Sequence, residues 1–263
     1  MKRPLRISLY ALASVVVLVG IIWANLNRSN SPVSDICIVV DYRGNDTLVT
    51  AEELRQQLLE AMPDLPARLV KEVREDLVAS TVARSPFVKN TTANISVGRC
   101  IVVNTEQRRP ILRVFCEDKE FYLDDLGRVV PVSFHGDCDV LVGNGHFRQH
   151  LTPAFQALDI QALATDTLRQ HYDLVQMWNV AQYLDLNPKY GVLFDQIYVS
   201  PEGDLQLVPK VGNHIVTLGD SRQMDRKMAN LWAMYHRGMA QTGWNTYRLI
   251  NLKFSDQVIC TKR

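Results

Sequence analysis

Two histidines, His146 and His150, lie four residues apart, the spacing at which imidazoles on one helix face ligate a metal. No glutamate stands between them as in an HExxH motif, and Gly143-Asn144-Gly145 just before them predicts a loop, so no metal site is assigned. Asp124 and Asp125 are an acid pair, the residue types of general acid–base chemistry, but Leu126-Gly127 follows, and a hairpin turn accounts for both carboxylates. Glu52 and Glu53 fall in a helix's first turn, where the dipole favours acids. G-x-S-x-G, S-x-x-K and a phosphate-cradling glycine loop do not occur, and Gly143-Asn144-Gly145 is too short to stand for one. The five cysteines, Cys37, Cys100, Cys116, Cys138 and Cys260, form no CxxC pair and no zinc spacing. Their odd number leaves one thiol unpaired in a monomer. They are expected to be free and buried, since Cys37, Cys116 and Cys260 sit in strand-like runs. No cofactor, metal or catalytic residue is assigned; catalytic groups can converge from distant positions, so this does not exclude an enzyme, but it leaves that reading without one positive feature.

The elements around these residues begin with Ile7 to Leu26, about 20 uncharged, apolar residues that span roughly 30 Å as a helix, the thickness of a bilayer core. Lys2, Arg3 and Arg6 precede it and only Arg28 follows closely, which predicts a cytoplasmic N-terminus and an extracytoplasmic remainder. Trp23 suits an interfacial anchor. The competing reading, a cleaved secretory signal, fits less well: the run is long, and the only Ala-x-Ala triplet, Ala11 to Ala13, lies inside it. Net charge is +1 with no long basic run, so a nucleic-acid role has no electrostatic support.

Residues 27–35 read as a linker around Pro32. Ile36 to Val40 is a strand-like run, and Thr50 with Glu53 forms a capping box that starts a helix with Leu54, Leu58 and Leu59 facing inward. Pro63 and Pro66 break it. A second helix is expected from Ala67 to Ser80, with Leu69, Val70, Val73, Leu77 and Val78 inward. Ser85-Pro86-Phe87-Val88 is expected to be extended, followed by strands at Asn94 to Val97 and Cys100 to Thr105. Further strands are expected at Ile111 to Cys116, Phe121 to Leu123 and Arg128 to Val132, then an irregular stretch from Ser133 to Thr152. A helix from Thr165 or Asp166 to Leu184 would bury Leu168, Tyr172, Val175, Trp178 and Tyr183. Strands follow at Gly191 to Ser200, Leu205 to Val208 and Asn213 to Leu218. A helix over Ser221 to Ala240 carries Met224, Met228, Leu231, Trp232 and Tyr235, and one long strand is expected from Tyr247 to Cys260.

A family is recognisable in this order. Ser85-Pro86-Phe87-Val88 resembles the "proline–aromatic–valine" element of the bacterial division proteins FtsQ and DivIB. Glu106-Gln107-Arg108-Arg109-Pro110 resembles their "E-R-x-P" junction with one residue added. Tyr122-Leu123-Asp124 through Gly127-Arg128-Val129 resembles their hairpin, and Leu141-Val142-Gly143 their "L-P-x-x-G" segment without its proline. Val216-Thr217-Leu218-Gly219 and Ile250-Asn251-Leu252-Lys253-Phe254 are similar to the closing "v-x-l-G" and "v-D-L-R-Y". The resemblance implies an α+β chain: a single N-terminal transmembrane helix (7–26) after a cytoplasmic 1–6, a POTRA-like domain (36–103), and a mixed β-rich domain with flanking helices (104–260) ending in a tail, 261–263. It implies a non-enzymatic inner-membrane scaffold of the division machinery, with no small-molecule substrate, whose partners resemble FtsB and FtsL.

In that family the last strands form the partner site, which points to Asn251, Lys253, Phe254, Ser255, Asp256 and Gln257. Strand alternation puts Ile250, Leu252, Phe254, Val258 and Cys260 on one face and Asn251, Lys253, Ser255 and Gln257 on the other, so Phe254 faces the core unless a bulge near Ser255-Asp256 resets the pattern. The rival readings are an anchored periplasmic cell-wall enzyme, which needs His and carboxylate groups converging in a pocket, and an outer-membrane translocation component, which needs a downstream barrel that the two later helices make unsuitable.

Overall fold

The computed structural model describes residues 2–44, 46–150, 157–166, 170–255 and 257–263, with side chains from residue 12 onward. The chain divides into two units, residues 1–42 with 49–107, and residues 43–48 with 108–263.

The first unit begins with helix α1 (Lys2–Ser29), long and apolar enough over Leu12–Ser29 to cross a membrane. Its large apolar side chains from Leu12 to Leu26 are exposed. Strand β1 (Asp35–Asp41) and helix α2 (Ala51–Ala61) follow. Thr50 Oγ1 accepts the Glu53 amide while Glu53 accepts the Thr50 amide at 2.8 Å, the expected capping box, and Leu54 and Leu58 are buried.

The helix expected over Ala67 to Ser80 does not form as one piece. The 3₁₀ turns Leu65–Ala67 and Val70–Glu72 precede α3 (Glu75–Val82), which buries Val78 and Val82 and leaves Leu77 exposed. The cause is backbone competition. Arg68 and Leu69 are extended; the Arg68 carbonyl accepts the Val33 amide, and the Val70 amide goes to the Ser31 carbonyl, so these groups leave the helical ladder. Ser85-Pro86-Phe87-Val88 is a turn closed by the Val88 amide on the Ser85 carbonyl, not an extended piece. Strands β2 (Val88–Ile95) and β3 (Cys100–Gln107) complete a sheet of order β1-β3-β2, with β1 parallel and β2 antiparallel to β3. Its core joins Ile36, Ile101 and Val103 to Leu54, Leu58, Leu65 and Val78.

The second unit is built on a nine-stranded sheet. Strands β4 (Pro110–Cys116), β5 (Lys119–Asp124) and β6 (Val129–Pro131) form a meander. Asp124, with no exposed side-chain surface, organises it. Its carboxylate accepts the Leu126 and Arg128 amides at 3.0 and 2.7 Å and the Arg108 guanidinium at 2.7 Å, and its carbonyl accepts Trp178 Nε1 at 3.0 Å. Such charge-assisted bonds tie the turn to the helix behind it.

The stretch expected to be irregular contains a central strand, β7 (Leu141–Gly145), parallel to both β4 and β8 (Phe194–Val199). Gly143 hides it in sequence and makes it possible in space: any side chain there would collide with the sulfur of Met177. The expected helix from Thr165 or Asp166 is instead α4 (Ile160–Thr165) and α5 (Asp173–Leu186). Asp166 ends α4 with its amide on the Leu163 carbonyl. Buried Asp173 opens α5, accepting the Arg148 amide at 2.8 Å and pairing with its guanidinium. Leu168 lies outside the described residues, and Tyr172 is exposed. In α5, Leu174, Val175, Met177, Trp178, Val180, Ala181 and Leu184 are all buried. Each of the larger side chains, the valines, leucines and Met177, contributes about 1.5–3 kcal/mol, well above the few tenths of a kcal/mol that separate ordinary helix propensities, so packing dictates this helix.

A turn of helix α6 (Pro188–Gly191), strands β9 (Leu205–Pro209) and β10 (Ile215–Gly219), and helix α7 (Met224–Ala233) follow. Helix α7 widens into a π-helical stretch, Met234–Met239, and buries Met224, Met228, Leu231 and Tyr235. The long final strand is two strands, β11 (Tyr247–Asn251) and β12 (Ile259–Lys262), and the sheet order is β12-β11-β10-β9-β8-β7-β4-β5-β6. Ahead of β10, His214 is 1% exposed. Its Nε2 lies 2.8 Å from the Tyr235 hydroxyl, Trp244 tilts over the ring, and Nδ1 has no hydrogen-bond partner among the described residues.

Replacing Asp124 with alanine leaves Arg108 and two turn amides without their acceptor. The expected loss is about 2–4 kcal/mol, read as faster hydrogen exchange of the β5–β6 hairpin amides in the full chain. Burial alone holds the His214 pKa below its ordinary value. The unfolded chain therefore takes up its proton first as pH falls. The stability due to neutral His214 is complete above about pH 6.5 and is lost progressively below it. The thermal midpoint should fall more steeply on acidification than in His214→Phe; equal slopes for the two proteins would remove His214 from the account.

Candidate protein interface

The closing hairpin is assembled against β10. Ile215, Val216 and Thr217 register with Leu249, Ile250 and Asn251 in parallel, and the Leu252 amide extends the pairing to the Thr217 carbonyl at 2.8 Å. Ile250 and Leu252 are buried, as their alternation predicts. Strand β11 stops because the Asn251 side chain accepts the Lys253 amide at 2.9 Å, an Asx turn. After the connection, Cys260 and Ile259 pair with Ile250 and Asn251 in antiparallel sense.

This break corrects the face assignment. Phe254, expected toward the core, is 46% exposed because it lies in the connection, where strand alternation no longer applies. The reset is a reversal of chain direction, not a bulge in a continuing strand. Ser255 and Gln257 are exposed, and Asp256 lies outside the described residues. Lys253 is anchored: its Nζ donates to both oxygens of Asp204 at 2.7 and 2.9 Å. Its stem lies over Gly219, where φ is +78° and a β-carbon would come within 2.9 Å of Lys253 Cγ. Behind Gly219, Lys227 Nζ donates to the Asp220 carbonyl and carboxylate, both at 2.8 Å, fixing the start of α7. Burial acts to raise the Asp220 pKa, but the bonds from Lys227 and Arg222 outweigh it and hold the carboxyl below its usual range; burial depresses Lys227.

Strand β12 has β11 on one side and, among the described residues, no strand on the other. Ile259 is exposed on it, a position absent from the sequence-based site because that stretch read as one strand. The only signal for the break was the turn-forming Ser255-Asp256 pair. The opposite end of the sheet is closed off. Strand β6 is three residues long and ends in Pro131, Arg128 bridges to Asp159, and the Ile160 amide binds the Gly127 carbonyl. Short strands and proline are devices that discourage edge pairing; β12 is also short, at four residues with Lys262 at its end, but it lacks a proline and any chain segment bridged to its outer side among the described residues.

The chemical candidates disperse. His146 meets the Tyr198 hydroxyl at 3.1 Å and His150 meets Glu117, on a segment that is not helical, so their four-residue spacing does not put them on one face. Among the described residues, no group of three His, Cys, Asp or Glu side chains is placed to hold a metal ion. Asp124 and Asp125 belong to the hairpin turn, and Glu53 to the capping box. All five cysteines are free. Cys116 and Cys138 are buried, and burial pushes both thiols up to about 11. Cys37, expected to be buried, is exposed because it lies on the outward face of β1, next to Cys100.

No curated protein matches this chain. The profile of the family described as FtsQ/DivIB, C-terminal related, matches residues 109–261, from the start of β4 into β12. That span holds all but the last residue of the nine-stranded sheet and makes up more than half of the chain, so the protein belongs to the FtsQ/DivIB C-terminal related family of bacterial cell division proteins.

Proposed function

We propose that this chain is a non-catalytic scaffold of the division machinery, held in the bacterial inner membrane by α1 with its N-terminus in the cytoplasm and both folded units outside. The apolar helix and the basic residues Lys2, Arg3 and Arg6 support that orientation. The order β1-α2-α3-β2-β3, with two helices on a three-stranded sheet, supports reading residues 36–103 as a POTRA-like domain and residues 104–260 as the β domain. The partners are single-pass division proteins resembling FtsB and FtsL. They dock on the closing hairpin at Asn251, Lys253, Phe254, Ser255, Asp256 and Gln257, extended by Ile259.

The observation that carries this reading is the open edge of β12. A partner strand added there satisfies its unpaired backbone groups, while Phe254 and Ile259 supply apolar anchors beside it. Lys253 contributes less than its exposure suggests, since its charge is engaged by Asp204.

The test is binding of extracytoplasmic segments of FtsB-like and FtsL-like proteins to the purified full chain. Phe254→Asp and Ile259→Asp should each weaken binding at least about tenfold, or about 1.4 kcal/mol, with the thermal midpoint unchanged. Lys253→Gln should have a smaller effect. If both aspartate variants fold and bind like the parent, the docking site lies elsewhere.

A further inference from the structure

The first unit has a second apolar feature beside α1. The turn joining β2 to β3, Ser96-Val97-Gly98-Arg99, is fixed to the end of the helix: Arg28 Nη2 donates to the Ile95 and Ser96 carbonyls at 3.2 and 2.7 Å. It is held from the other side by Ser34, whose amide and hydroxyl donate to the Arg99 and Gly98 carbonyls at 3.0 and 2.7 Å. The hairpin tip is thus bound at a set height on the helix. There it carries Val97, 85% exposed, which lines a cleft with Trp23, Ala24, Asn27 and Arg28. Trp23 is itself exposed on the helix.

Height decides what covers this surface. At 1.5 Å per residue, Arg28 stands about 7.5 Å beyond Trp23, close to the thickness of one headgroup layer. Tryptophan favours that layer, and Val97 reaches back toward it. The charges agree. Arg99 and Lys71 meet no carboxylate among the described residues, and Lys71 is tied to the helix end by a 2.9 Å bond to Asn30. Two nearby acids are engaged, Asp64 by Arg68 and Glu75 by the Ile95 amide.

Resting on the membrane-anchored reading above, we propose that the β2–β3 hairpin tip is a second membrane contact. Val97 enters the outer headgroup layer of the bilayer that α1 spans, and Arg99 and Lys71 bind phosphates of anionic phospholipids there. The contact fixes the tilt of the first unit on the membrane, because one helix alone leaves it free to swing.

The full chain is reconstituted into vesicles of phosphatidylcholine and phosphatidylglycerol, with an environment-sensitive fluorescent amino acid at Val97, Leu18 or Asn90 in turn. Acyl chains brominated near the glycerol should quench the probe at Val97 and not at Asn90, at the far end of β2, and deeply brominated chains should quench it at Leu18. Arg99→Glu combined with Lys71→Glu should remove most of the Val97 quenching. Quenching at Leu18, with Val97 no more quenched than Asn90, overturns the hairpin contact and leaves the anchor standing. No quenching at Leu18 overturns the anchor and the hairpin contact with it. Val97 quenching that survives the charge reversal removes the phosphate contacts from the proposal.

Discussion

A strand's amides and carbonyls must be satisfied, and among the described residues the second unit's sheet leaves two strands, β6 and β12, with a neighbour on one side only. Seven strands of its sheet have neighbours on both sides. At one end, β6 is cut short by Pro131 and accompanied by the chain entering α4. At the other end, β12 is also short, four residues ending in Lys262, but it carries no proline and has no further strand beside it among the described residues. An exposed edge of this kind promotes unwanted pairing unless pairing is its use. The two ends of the sheet therefore differ: β6 ends in proline beside the chain entering α4, and β12 has no strand beyond it among the described residues.

Everything packed on the sheet serves to present that end rigidly. Asp124 joins the first hairpin to Trp178 of α5, and Met177 of the same helix sits where Gly143 leaves room in the central strand. At the far end, Lys227 clamps α7 to Asp220, and Gly219 gives Lys253 a track toward Asp204. Asp124 and Lys227 are buried charges paired with a charged partner, the condition under which burial of a charge is tolerated, and Lys253 is an exposed charge held by Asp204. They lie at the junctions of elements, which is where positioning is decided. Here the histidines go separate ways: His150 meets Glu117, His146 meets Tyr198, and His214 is enclosed by Tyr235 and Trp244.

Much of this was readable from residues alone where one local rule dominates. The Thr50–Glu53 box, the Asp124 to Gly127 turn and the Met224 to Tyr235 stripe appear where their patterns put them. The failures share a cause, which is that a distant group took over a local bond. Arg68 to Val70 read as helix, but their backbone groups pair with Ser31 and Val33. Val142-Gly143-Asn144 read as loop because a strand admitting Met177 must be small there, and smallness looks like a turn. The closing hairpin read as one strand because apolar alternation continues in phase through Ile250, Leu252 and Phe254, and period-two patterns do not record direction. Phe254 was accordingly sent to the core, although its role in the sequence-based site required it to face outward.

That last case shows how the two lines of inference bear on each other. The family resemblance asked for an exposed aromatic at Phe254, and periodicity asked for a buried one. Both follow from the same residues, and they conflict only if the strand is continuous. The Asx turn at Asn251 ends the strand before Phe254, so Leu252 completes the core face and Phe254 is released from it. The same turn brings Lys253 to Asp204 and sends the chain back as β12. A single side-chain-to-backbone bond thus separates core from surface in this segment and marks where the chain leaves β11 before it returns as the edge strand β12.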